Sequence, residues 1–371
     1  MPDPIPFSAL ETPVPLVDLD RFEANLDRAA AYARAHGLAL RPHVKTHKSP
    51  RVATEQLQRG AVGLTCATTF EAEVMASVVG DLLVAYPPVG APRAQRLAAL
   101  PRDVSLTVAL DSRRAIQDLH AAARTADRPI GVLVELDLGM HRVGTPDVAS
   151  AIALALTVTI RPPLHWAGIA FYPGHIRRPV HDQASDLAEL NARLGAALDA
   201  FRTAGLPPDV VSGGSTPTLW RAHELQGVTE VRPGTYVYND RTTAQIGACE
   251  WTDCALTVLA TVVSTAVPGQ AVIDAGSKAL GREPLRGVDG RGFGALLEHP
   301  EVVVGTMSEE HGMLDLTDSD WRPDVGDLVR VVPNHVCIVT HLHDLVCGVR
   351  GDVVETSWPV AARGRGHRVV V

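Results

Sequence analysis

The sequence has no apolar stretch long enough to cross a bilayer. Runs such as "AIALALTV" fall far short of the ~20 residues that a spanning helix needs. The opening "MPDPIPF" lacks the basic n-region and apolar h-region of a signal peptide, so a reducing cytoplasm is the expected compartment. Cysteines are few. Cys66, Cys249, Cys254, Cys337 and Cys347 are odd in number and form no CxxC pair, which argues against a disulfide framework. No block of Lys and Arg is present and the formal net charge is −8, so a general nucleic-acid binder is excluded. No GxGxxG follows an early strand, which weakens a dinucleotide-binding reading. Solenoid repeats and low-complexity tracts are absent too.

What remains is an ordinary globular composition, 46% hydrophobic and 20% charged. The 371 residues suggest two domains, or one large domain with an addition. Eight short apolar runs recur along the first two thirds: "LRPHVK", "GLTCAT", "DLLVAY", "LTVALD", "GVLVELD", "WAGIAFY", "VVSGGS" and "VRPGTYVY". Between them lie Ala/Leu/Arg-rich segments of helical period, for example "HDQASDLAELNARLGAALDAFRTAG". Strands alternating with helices imply parallel βαβ units, and eight such units match a (β/α)8 barrel over residues 12–245. Beyond that point the texture changes. "CALTVLATVVSTAV", "EVVVGTMSEEHG", "DLVRVVPNHVCIVTHL" and "LVCGVRGDVVETSW" are strand-like and separated by turn residues, so a mainly antiparallel β-domain is expected over 246–371. The early "VPLVDLD" precedes the eight runs, and residues 1–20 are expected to pack with that domain.

In such a barrel the strand C-termini carry the active site. Lys45 ends the first run between His43 and His47. A lysine there is expensive unless paired or neutral, and a neutral lysine amine is a nucleophile that forms Schiff bases. Arg142 follows the fifth run in "ELDLGMHRVG"; Tyr172 and His175 follow the sixth in "FYPGH". Ser212, Gly213, Gly214, Ser215 and Thr216 end the seventh in "SGGSTPT", where glycines and hydroxyls suit an anion cradle, although plain loops share that composition. Arg232, Gly234, Thr235 and Tyr236 lie in the eighth. Late in the chain "PNHVC" sets His335 and Cys337 two apart. On one face of a strand these would lie about 6.6 Å apart and could share a zinc ion. On spacing alone, a buried thiol beside a hydrogen-bonded histidine is the better reading. His341 and His343 continue the parity, but a straight strand would put His341 about 20 Å from His335.

The segments "TPVPLVDLDRFEANL", "RPHVKTHK", "GMHRVG", "SGGSTPT", "VRPGTYVY", "DAGSK" and "PNHVC" together resemble the D-threonine aldolase/D-serine dehydratase family of fold-type III pyridoxal-phosphate enzymes. The resemblance runs from residue 12 to about 344. It implies an alanine-racemase-like barrel with a β-domain. It implies Lys45 as the Schiff-base lysine, with Tyr172 and His175 as further candidate catalytic residues. Arg142 would lie near the cofactor's phenolic oxygen. Residues 213–216 would hold the phosphate, with Ser212, Gly234, Thr235 and Tyr236 beside them. Arg232 matches the position that faces the pyridine nitrogen in alanine racemases. The resemblance also reverses the reading of "PNHVC", since family members bind a divalent metal there. Cys337 favours zinc, whereas a carboxylate, which aldolases of the family often carry, suits manganese.

The implied substrate is a β-hydroxy-D-amino acid, and related folds are homodimers. The expected activity is dehydration of the D-serine dehydratase type. The alternative is retro-aldol cleavage to glycine and an aldehyde, as by a D-threonine aldolase. An amino-acid racemase needs no metal, and a non-catalytic pyridoxal-phosphate carrier normally has no β-domain, so both fit this chain less well.

Overall fold

Each of the eight apolar runs forms a strand. The computed structural model describes residues 5–366. The strands are Ala39–Leu40, Leu64–Cys66, Asp81–Val84, Ser105–Leu110, Ile130–Glu135, Leu164–Ala170, Val210–Gly213 and Glu230–Val231. All pair in parallel, and the first lies beside the eighth. The ring closes where His43 bridges Thr65 and Val62 N–H donates to Leu40 O at 2.9 Å. Ile130–Glu135 shows why such strands read as unbroken apolar runs. All six of its residues are buried, as a parallel strand covered on both faces requires. Val132 and Val134 pack outward with Ile116, Leu119 and Leu154 of the helices, while Leu133 joins Leu83, Ala109 and Ala170 inside the barrel. Side-chain caps fix where helices begin: Asp18 accepts from Arg21 N–H, Ser112 from Ala115 N–H and Asp147 from Ser150 N–H.

The rest of the chain builds a ten-stranded sheet. Six of its strands close into a small antiparallel barrel, because Leu256–Ser264 pairs with both Gln270–Ile273 and Leu328–Pro333. Val14–Asp18 joins this sheet, antiparallel to Leu256–Ser264 and parallel to Leu345–Arg350. Ile5–Pro6 pairs with Val353–Pro359. Residues 1–4, part of the segment expected to pack with the β-domain, lie outside the described residues.

One expected strand is a helix. The strand Leu328–Pro333 stops at Pro333, and Val336–Leu342 is helical with His335 as its extended N-cap. Asn334 fixes the break: its Nδ2 donates to Glu283 O and Gly292 O, and its Oδ1 accepts from Arg241. The helix buries Val336, Val339 and Thr340, a spacing of three and four residues. Val336 and Val339 pack in one core with Leu40, Val231, Tyr236, Val258 and Val331, so the β-domain seats this helix against the mouth of the barrel. Among the described residues no helix is long and apolar enough to cross a membrane.

Candidate active site

Lys45 sits in a single 3-10 turn, Val44–Thr46, just past the end of the first barrel strand. His43 caps the turn, its Nδ1 accepting from Lys45 N–H at 3.5 Å. The Lys45 Nζ lies 5.5 Å from the ring centroid of Tyr172, and the Arg142 guanidinium lies 4.9 Å from the same centroid. The ends of strands one, five and six thus converge on one aromatic ring. Among the described residues no hydrogen bond or ion pair holds Lys45 Nζ. Lys48 is buried against Glu71 in an ion pair, and Lys278 pairs with Glu310 at the surface. Burial, together with Lys45, Arg232 and Lys48, pushes His43 well below the usual histidine value, so that ring is neutral beside Lys45.

The helix Val336–Leu342 brings the histidine–cysteine pair to this turn. Cys337 Sγ is 3.2 Å from Thr46 Oγ1, and Thr340 Oγ1 donates to Thr46 O at 2.6 Å. His335 Nδ1 is 3.1 Å from Asp240 Oδ2, which also accepts Val336 N–H at 3.3 Å. Asp240 is only 1% exposed, and its Oδ1 accepts from Thr243 N–H and Oγ1. This carboxylate holds the imidazole by Nδ1, the arrangement found behind metal-binding histidines. Burial raises the Cys337 thiol, but His335, Lys45 and the Thr46 hydroxyl outweigh it and bring the thiol to about 7. Burial lowers His335, but Cys337 and Asp240 together carry it well above the usual histidine value. A soft thiolate beside an oriented imidazole is a donor set suited to zinc. Among the described residues no group of three or more His, Cys, Asp or Glu gathers around a common point, so protein ligation here would rest on this pair.

The helix corrects the geometry expected from a strand. His341 follows His335 by six residues of helix, about 9 Å along the axis and not about 20 Å, and it stands one turn past Cys337. It stands beside Lys48, Arg365 and Arg363. His343 is tied to Ala279 O at 3.0 Å.

The loop expected to form an anion cradle follows the seventh strand. Gly214 has φ +92°, a left-handed conformation that favours glycine, and a Cβ there would touch only Val231, at 3.4 Å. A Cβ on Gly213 would sit 2.2 Å from the Phe171 ring, so this glycine serves packing. Ser215 and Thr216 are buried; Ser215 Oγ is 3.0 Å from Thr218 Oγ1, and Thr216 Oγ1 accepts Tyr236 N–H at 3.2 Å. The Tyr236 ring belongs to the core, and its hydroxyl accepts from Gln56 Nε2 at 3.1 Å, so Tyr236 meets the cradle through its backbone. Ser212 Oγ points into the barrel. It donates to Glu230 and accepts from Arg232 Nη1, both at 2.6 Å. Arg232 also donates to Phe171 O and Ser212 O and is buried beneath the mouth. A Cβ on Gly234 would lie 2.7 Å from Thr46 Oγ1, and Thr235 Oγ1 is 4.0 Å from Cys337 Sγ. These two residues adjoin the lysine turn and the histidine–cysteine pair.

His175 is elsewhere. It lines a small pocket of about 220 Å³ with Gly139, His141, Asp186, Glu189 and Arg193. The larger groove, about 820 Å³ and lined by Thr68, Tyr86, Arg93, Arg96 and Arg365, contains none of the expected site residues.

Sequence reasoning missed Asp240 and Thr46, which hold the histidine and the cysteine. It also missed Glu135, a buried carboxylate at the end of the fifth strand. Only Glu135 left a trace in the sequence, as a charge at the end of an apolar run.

Comparison with known proteins fits this geometry. Residues 17–242 match the alanine racemase N-terminal domain, and residues 255–349 match a putative serine dehydratase domain. The chain is 33% identical to a D-threonine aldolase of Arthrobacter, over 97% of this chain and 94% of that protein. It is 36% identical to a D-threo-3-hydroxyaspartate dehydratase of Delftia, over 88% and 91%. A D-serine dehydratase of Dictyostelium discoideum is more distant, at 25% over 89% and 91%. The crystal structure of D-threonine aldolase from Filomicrobium marinum superposes with a TM-score of 0.90 at 32% identity, covering 98% of this chain and 99% of that one. A cysteine-to-alanine variant of the D-threo-3-hydroxyaspartate dehydratase, solved in its metal-free form, superposes at 0.86 with 32% identity over 98% and 100%. With two family domains spanning a lysine-tipped barrel and its β-domain, the chain belongs to the alanine-racemase-like, fold-type III pyridoxal-phosphate lyases that act on β-hydroxy-D-amino acids.

Proposed function

We propose that this lyase removes water from a β-hydroxy-D-amino acid, giving a 2-oxo acid and ammonia, and that it uses a metal held by His335 and Cys337. The observation that carries the proposal is the contact between the lysine turn and the metal pair: Thr46, next to Lys45, lies 3.2 Å from Cys337 Sγ. That contact would put a proton acceptor and a site for a leaving hydroxyl side by side.

Bound pyridoxal phosphate supplies the electron sink that makes a Cα proton of an amino acid removable. Lys45 would hold the cofactor and, once freed by substrate, take that proton with its Nζ. Gly214, Ser215 and Thr216 would hold the phosphate, Arg142 the phenolic oxygen, and Arg232 the ring nitrogen from below. The buried guanidinium of Arg232 is held in place by two carbonyls. Neutral His43 adds no positive charge beside Lys45. Asp240, bound to His335 Nδ1, would leave Nε2 for the metal, and Thr46 would align Cys337. A zinc ion there would leave positions open for the substrate hydroxyl and act as a Lewis acid on it.

The thiolate favours zinc and dehydration. The similarity to the dehydratase of Delftia, one of whose structures is a cysteine-to-alanine variant in a metal-free form, supports this reading. Aldol cleavage is the second reading, supported by the similarity to the D-threonine aldolases. D-Serine as substrate has the weaker support of the 25% identical relative. Product analysis on D-serine, D-threonine and 3-hydroxy-D-aspartate tests the proposal. Ammonia with a 2-oxo acid supports dehydration; glycine with an aldehyde overturns it in favour of cleavage.

A further inference from the structure

One charged side chain in the mouth of the barrel has no part in this scheme. Glu135 is the last residue of the fifth barrel strand and is 6% exposed. It shares strand parity with Leu133, which packs inside the barrel with Leu83, Ala109 and Ala170. Its register partner on the sixth strand is Ala170, whose own partner on the seventh is Ser212. The Glu135 carboxylate therefore points inward, in the layer that holds the inward-facing Ser212 hydroxyl. The Arg232 guanidinium lies over the ends of the two neighbouring strands, bonded to Phe171 O and Ser212 O.

A carboxylate so buried is normally hydrogen-bonded or paired. Among the described residues no hydrogen bond and no ion pair within 4.0 Å reaches this one. Nor are its oxygens among the fully enclosed polar atoms that lack a partner. Both oxygens thus border open space in the mouth. Burial raises the Glu135 carboxyl above its ordinary value. Arg232 and Arg142 oppose that rise, and Asp111 and Asp137 add to it. In this structure Arg142 is exposed and rests on the Tyr172 ring. Its loop returns to the same strand, where Thr145 N–H donates to Glu135 O at 2.8 Å.

We propose that Glu135 is a positioning residue, the counter-charge that draws Arg142 inward and holds its guanidinium over the cofactor site. The inference rests on the reading of Arg142 as a cofactor contact. It gives a role to a carboxylate that the scheme above leaves unused. Arg232, held by two carbonyls and Ser212, needs no such help to stay in place.

The test is a double-mutant cycle read as pyridoxal-phosphate affinity of the cofactor-free chain, with Glu135→Gln, Arg142→Ala and their combination. Glu135→Gln is expected to weaken binding about tenfold, and the double variant is expected to bind within about twofold of Arg142→Ala alone. Full additivity overturns the inference. So does unchanged affinity in Glu135→Gln while Arg142→Ala binds weakly. If Arg142→Ala binds normally, the cofactor reading of Arg142 fails and the inference falls with it. Stability provides a second readout, which a purely structural glutamate would move the other way. A carboxyl whose folded pKa is raised opposes folding once the pH exceeds that pKa. Glu135→Gln should therefore raise the unfolding midpoint of the cofactor-free chain at neutral pH, a gain that fades under acid. A lowered midpoint together with weaker cofactor binding makes Glu135 a structural residue and overturns the proposal.

Discussion

Replacing Asp240 with Asn tests whether the site is prepared for a metal. The Asp240 Oδ2 faces two donors at once, His335 Nδ1–H at 3.1 Å and Val336 N–H at 3.3 Å. An amide nitrogen in that place would put donor against donor. The amide oxygen could still serve Thr243, so the helix cap over Arg241–Gln245 survives. The imidazole must then either lose its partner or place its proton on Nε2, where the metal should bind. A hydrogen bond to a charged group contributes about 1.5–3 kcal/mol, which corresponds to about 10- to 150-fold in affinity. Removal of a carboxylate behind a metal-binding histidine typically weakens binding by about 10–100-fold, in agreement. The assay is zinc titration of metal-stripped protein against a chromophoric chelator, with circular dichroism as the check on folding. Wild-type zinc affinity in a folded Asp240→Asn chain would refute the reasoning.

Borohydride reduction of the loaded protein should fix the cofactor on the peptide that contains Lys45; label on Lys48 or Lys278 would contradict the assignment, since both are already paired. The two cradle glycines should part company. Gly213→Ala pushes a methyl into Phe171 and should cost stability, about 1–3 kcal/mol by denaturant unfolding. Gly214→Ala has room but the wrong φ, and should chiefly raise the cofactor dissociation constant. Zinc affinity should also follow pH. With the Cys337 thiol at about 7, metal binding requires the deprotonated form and should weaken as pH falls below about 7, a trend that titrations from pH 6 to 8.5 would show.

The barrel was legible because parallel strands buried on both faces must be apolar throughout, as in "IGVLVE". The helix Val336–Leu342 was not. "VCIVTHL" is rich in β-branched residues and short, so its period does not separate strand from helix. Contacts remote in sequence settle it, above all Thr340 with Thr46 O and Asn334 with Glu283 and Gly292. Lys45, Tyr172 and Arg142 could be expected at one mouth because strand ends define it. The ring that joins them is a matter of side-chain direction, which the sequence does not carry. The same holds for Tyr236, whose backbone meets the cradle while its ring enters the core. Asp240 was invisible for a different reason. It is 95 residues from His335 along the chain, and nothing nearby marks it beyond a helix cap.

The most direct test of the central claim is turnover by metal-free protein. The account predicts that chelation abolishes water elimination from hydroxylated D-amino acids without unfolding the chain or releasing the cofactor, and that zinc restores it. D-Alanine, which has no hydroxyl, should still bind at the cofactor and change its visible spectrum whether or not metal is present. Elimination at the full rate by the metal-free protein would contradict the account and leave His335 and Cys337 as parts of a packed helix.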